Sequence, residues 1–234
     1  MFGVHKSLCA CAAFLLCSAA VHADDALPPP TSAWRGSYLA RVEALALLQS
    51  LNADLLSHDS ATLTLEHWCD VHHLASPPRI VAERMTGMVK PPTPEQRREL
   101  EVTPTDPVRY RKVRLLCGTV VLSEADNWYV PGRLTAEMNT LLDNTDMPFG
   151  KVVQDLHFRR HTVSSKLLWS PLPEGWEMRS TGAVESAGLP VPAQVLEHRA
   201  LLSLPDGTPF SEVVETYSGN VLAFPQPVHE QPVH

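Results

Sequence analysis

The residue with the clearest chemistry in this chain is an arginine on the apolar side of a strand. In the strand-like run from Val108 to Cys117, the period-two alternation that sends Val113, Leu115 and Cys117 inward also sends Arg111 inward. Lys112, Arg114 and Leu116 then face the other way. A guanidinium folded among apolar side chains costs several kcal/mol unless an anion meets it. A ligand carboxylate taking a bidentate pair is one solution. The alternative is a strand-end position, where the side chain snorkels to water or pairs with an internal Asp or Glu.

Two acids in the final strand-like run bear on the same question. Glu212 and Glu215 are three apart and point to opposite faces unless a bulge intervenes, so one of them faces the interior. There a carboxylate serves either as acceptor or general acid/base beside a ligand hydroxyl, or as the ion partner of Arg111. His67, Cys69, His72 and His73 group soft donors closely, but no second cluster with zinc spacing follows, and the expectation is ordinary structural residues with no metal. The chain lacks a Gly-x-Ser-x-Gly elbow and a Gly-rich phosphate loop, which argues against serine hydrolase and nucleotide chemistry.

The elements that must carry these residues are legible in outline. Leu39, Val42, Leu45, Leu48, Leu51 and Leu55 recur at helical spacing, with a break expected near Asn52. Thr62 to Cys69 alternates around β-favouring residues and predicts a strand, as does Arg79 to Met85. Thr93-Pro94-Glu95 predicts a helix start. Val108–Cys117 and Val120–Val130 flank Gly118-Thr119 and predict a hairpin. Leu134, Met138, Leu141 and Leu142 share a helical face opened by Thr135, and Phe149-Gly150 is expected at a turn. A weak strand from Phe158 to Leu168 precedes the strongest hairpin signal, Leu196–Leu204 and Phe210–Tyr217 around Pro205-Asp206-Gly207-Thr208. Strands outnumber helices and are joined by hairpins, which implies an α+β fold with a largely antiparallel sheet and helices on one face.

The bulk properties set the context. One Lys6, an apolar run from Leu8 to Ala20 and Val21-His22-Ala23 predict a cleavable signal over residues 1–23, and hence export to the periplasm or beyond. Residues 24–33, with Pro28-Pro29-Pro30, read as a tether, residues 34–224 as one domain and residues 225–234 as a tail. No later stretch is apolar and long enough to span a bilayer. Net charge is −7 with basic and acidic residues interspersed, so no nucleic-acid footprint is present. Cys69 and Cys117 remain beyond the signal; they either pair or stay as buried thiols, with buried thiols the expectation.

Beyond these readings, an ordered set of short motifs resembles the chorismate lyase family. It comprises Arg111 to Cys117, Tyr129-Val130-Pro131, Leu141-Leu142 and Met147-Pro148-Phe149-Gly150-Lys151, with Leu55-Leu56 and Asp59-Ser60-Ala61-Thr62 upstream and Asp206-Gly207-Thr208-Pro209 and Glu215 downstream. The resemblance implies helical flaps over a closed site that eliminates pyruvate from chorismate to leave 4-hydroxybenzoate without cofactor. It assigns Arg111 to the carboxylate, or Lys112 in the alternative register, with Phe149 and Gly150 at the ring carboxylate, Glu215 at the ring hydroxyl and Ala61 as a flap contact. The chain departs from the family in having Asn127 where an arginine is common, four residues before Pro131. That departure supports the alternative of a non-catalytic module, expected monomeric, that binds a small aromatic carboxylate.

Overall fold

The computed structural model describes residues 34–178 and 187–226. The expected signal and tether lie outside these residues, as does all of the tail beyond Gln226.

Helix α1 (Tyr38–Ser57) starts where Ser37 Oγ accepts the Ala40 amide at 3.2 Å, and it runs unbroken past Asn52. Its buried stripe is Ala40, Ala44, Leu48, Leu51 and Leu55; the last three are the expected ones, while at the start of the helix Ala40 and Ala44 take the place of Leu39, Val42 and Leu45, and Leu39 is exposed. The segment expected as a strand over Thr62–Cys69 is helix α2 (Ala61–Val71). Ser60 caps it, and Ala61, Leu65, Trp68 and Cys69 fall on one buried face; packing of that face overrides the β preference of the threonines.

A six-stranded sheet forms the body of the fold. Its strands are β1 (Ile80–Arg84), β2 (Arg109–Cys117), β3 (Val120–Tyr129), β4 (Arg159–Leu167), β5 (Gln194–Ser203) and β6 (Pro209–Ser218), in the order β1-β2-β3-β6-β5-β4. Every neighbouring pair is antiparallel, and both expected hairpins are present. Three short helices fill the connections: α3 (Pro94–Glu99), α4 (Ala136–Asn144) and α5 (Phe149–Val152). Phe149 and Gly150, expected in a turn, open α5. Thr93 and Gln96 form a reciprocal capping box on α3, and Thr135 caps α4.

The architecture is therefore α+β with an antiparallel sheet. Helices α1 and α2 cover its inner face, where they bury Leu48, Leu51, Leu55, Leu65 and Trp68 against Val113, Leu115, Val213 and Tyr217. On the outer face, the segment from α3 to Val108 lies over Trp128, Leu201 and Val214. The Trp34 and Trp68 indole N–H groups donate to Leu222 and Val221 carbonyls at 3.0 and 2.9 Å, tying the helical layer to the turn after β6. Cys69 and Cys117, expected as buried thiols, form a disulfide with Cα atoms 6.2 Å apart. It bonds α2 to the end of β2; register within β2 fixes Cys117 on the inner face, and helix formation brings Cys69 over it.

Candidate functional site

Alternation along β2 places Arg111 on the inner face with Val113 and Leu115, while Lys112 lies on the outer face 4.0 Å from Glu124. The alternative register, with Lys112 in the site, is not the one adopted. Arg111 is 8% exposed, which removes the strand-end reading. Its Nη2 donates to the Met147 carbonyl at 3.2 Å, while Nε and Nη1 are buried without a hydrogen-bond partner. Among the described residues no carboxylate forms an ion pair with it. Burial pushes its pKa down to about 10, and nearby Arg84 adds to the effect. The group still carries its charge at neutral pH.

Arg111 lines a cavity of about 50 Å³. Its floor is Val113, Leu115, Ala125 and Val213; Asn127, Leu202, Phe149 and Phe158 close the sides, and the start of α2 forms the roof. At that roof Ser60 Oγ accepts the Leu63 amide, leaving the Ala61 and Thr62 amides without acceptors inside the helix. Gly150 also lines the cavity; a Cβ there would lie 3.0 Å from Ser60 Oγ and 3.2 Å from Thr62 Oγ1, so glycine lets α5 approach the α2 start this closely.

Glu215 is the inward acid of β6 and Glu212 the outward one. The expected Glu215–Arg111 ion pair is not formed. Glu215 Oε2 accepts instead from Arg160 at 2.6 Å and from Tyr217 Oη at 3.1 Å. Arg160 comes from β4, at the far edge of the sheet, and its side chain reaches over β5 to Glu215 on the inner face. Asn127 Oδ1 accepts from Ser211 Oγ at 2.6 Å, a bond across the β3–β6 ladder.

The structure thus gathers Arg111, Glu215, Asn127, Phe149, Gly150 and Ala61 around one cavity and leaves Lys112 outside it. Sequence reasoning missed Arg160, which alternates with Phe158 and Thr162 in a strand whose signal was weak. His67, His72, His73 and Cys69 form no joint site: Cys69 is bonded to Cys117, and His72 stacks between Trp68 and Phe224 at centroid distances of 4.0 and 4.3 Å. Chemically, the cavity offers a fixed cation, the start of α2 and apolar walls, a combination suited to a small anion with an apolar body.

No family model matches the chain. Solved structures of similar outline include the possible transcriptional regulator YydK from Bacillus subtilis, with TM-score 0.38, 18% identity and coverage of 64% of this chain and 62% of that one. PhnF from Mycobacterium smegmatis gives TM-score 0.46 at 12% identity over 75% of this chain and 71% of its own. The ligand-binding domain assigned to a GntR-family transcriptional regulator from Bordetella bronchiseptica gives 0.38 at 15% over 59% and 82%. The chain spans less than two thirds of YydK. The expected membership of the chorismate lyase family is corrected by these findings: no family model matches the chain, and the solved structures of similar outline are regulator domains. The uncharacterized protein y4mC of Sinorhizobium fredii is 56% identical over 197 residues, covering 83% of each chain. At that identity and coverage, the chain belongs to the same family as y4mC.

Proposed function

We propose that the chain is an exported, non-catalytic binding module for a small molecule bearing a carboxylate on an apolar, preferably aromatic, body. The observation that carries this reading is the guanidinium of the cavity-lining Arg111, buried, charged and without an acid, with Nε and Nη1 unpartnered. A buried charge left in this way is costly, and a carboxylate forking onto it recovers that cost on binding. The adjacent walls, from Val113 to Phe158, supply apolar contact to the rest of the ligand. Glu215 is engaged by two donors and Asn127 by Ser211, so both serve as shaped walls of the pocket. Export rests on the leader-like residues 1–23.

The test is calorimetry and thermal shift of the purified protein with benzoate, 4-hydroxybenzoate and short aliphatic carboxylates. A ligand at 100 times its dissociation constant is expected to stabilise the fold by about 2.7 kcal/mol. Arg111→Gln is expected to abolish that gain. Absence of any shift in the wild type, or equal binding by Arg111→Gln, would overturn the reading, as would turnover of a bound carboxylate into product.

A further inference from the structure

The inner cavity is several-fold smaller than the 300–1,000 Å³ typical of small-molecule sites, so it holds one end of a ligand. A second depression of about 440 Å³ adjoins it, and the two share Asp59, Ser60, Gly150 and Phe158 as walls. These shared residues form a neck. Strand order fixes where the neck lies: Arg111 projects from β2 and Arg160 from β4, with β3, β6 and β5 between them. At about 4.8 Å per strand the two backbones are roughly 19 Å apart. Asp59 Oδ1 accepts the Arg160 amide at 2.8 Å, and Phe158 directly precedes β4, so these two residues set the β4 side of the neck, away from β2.

The outer basin has a different chemistry from the chamber behind it. Asp54, His58, His67, Gln154 and His157 surround it, with Leu63 as an apolar patch. His58 Nδ1 lies 2.8 Å from the Asp54 carbonyl, which holds that ring in place on the rim. Imidazoles, a carboxylate and an amide together present both donors and acceptors, the set that matches hydroxyl or amide groups. We infer that the basin is the second compartment of one site. It receives a hydroxyl- or amide-rich tail of an elongated ligand whose carboxylate end reaches Arg111. The inference rests on the proposed carboxylate site and adds to it the class of ligand: an apolar acid extended by a polar group such as a sugar.

The experiment compares benzoate with 4-(β-D-glucopyranosyloxy)benzoate by calorimetry on the full chain. The glucoside is expected to bind at least about tenfold tighter, the equivalent of one well-made polar contact of about 1.4 kcal/mol. His67→Ala and Gln154→Ala, both exposed positions whose replacement leaves the core intact, are expected to erase that advantage and leave benzoate affinity unchanged. Arg111→Gln is expected to weaken both ligands. If neither ligand binds the wild type, the carboxylate site itself is wrong. If benzoate binds and the glucoside gains nothing, or keeps its gain in both basin variants, the second compartment is wrong and the first stands.

Discussion

On the outer face of the sheet Arg199 lies between two acids, with its Nε 2.8 Å from Glu212 Oε1 and its Nη2 paired to Glu99 on α3. On the inner face Arg111 is more deeply buried, and a single backbone carbonyl, that of Met147, accepts from it. The same residue type under the same sheet is neutralised internally in one place and left uncompensated in the other. Internal pairing is the structural solution: Glu212, fully buried, takes Arg199 and Gln96 and fastens α3 to β6. Folding alone gives no reason to keep an unpaired buried cation. Arg160 shows that the inner face can accept an internal pair, since Glu215 sits 2.6 Å from it. The contrast between Arg111 and the other two is therefore what separates a site from a scaffold.

Four measurements put this contrast at risk. The largest effect is expected at the disulfide that holds the α2 roof over β2. Replacing Cys69 and Cys117 together by alanine opens a loop of 48 residues, worth about 4 kcal/mol by chain entropy, and guanidinium unfolding should show the loss. Retention of full stability would mean that packing alone holds the roof. Next, Arg199→Met strands Glu212 as a buried, uncompensated acid and is expected to cost about 3 kcal/mol, read as a lower denaturation midpoint.

His198 gives a pH-dependent version of the test. Its Nε2 lies 2.8 Å from Asn52 Oδ1 and 3.1 Å from Ser165 Oγ, and burial pushes its pKa from 6.5 down to about 4. The unfolded chain takes up a proton near pH 6.5 that the folded one refuses until about pH 4. Stability contributed by the neutral ring is thus complete above 6.5 and falls as the solution is acidified toward 4, by on the order of 3 kcal/mol. A His198→Gln protein should unfold with a flatter pH profile over that window; an unchanged slope would assign the loss to other groups.

The smallest stability change is expected at Arg111, and here its smallness is the point. Arg111→Met removes a charge that no acid offsets, so unfolding free energy should stay within about 1 kcal/mol of wild type or rise, while carboxylate binding disappears. A loss comparable to that of Arg199→Met would show that Arg111 is structural and would remove the distinction between the two faces.

Several of these features could be read from the chain in order. The two hairpins, the Thr93 and Thr135 caps and the inward turn of Arg111 follow from period, turn residues and alternation, all of which act over a few neighbouring residues. Thr62–Cys69 escaped this logic because alternation and helical spacing coincide over so short a run, and burial of Trp68 and Leu65 against the sheet chose the helix. Arg160 escaped it because its strand is an exposed edge with a bulge between Thr162 and Ser164, which blurs the period.

By itself, then, the sequence determined which side chains face inward along each strand, since that depends on geometry repeated every two residues. Whether Arg111 would meet an acid there was decided by the tertiary packing of distant segments. Strand β6 lies two places from both β2 and β4, so strand order favours neither arginine; Glu215 is taken by Arg160 and Tyr217, while Arg111 donates to the Met147 carbonyl. Such pairing depends on which distant segments become neighbours, and that is settled when the whole sheet assembles.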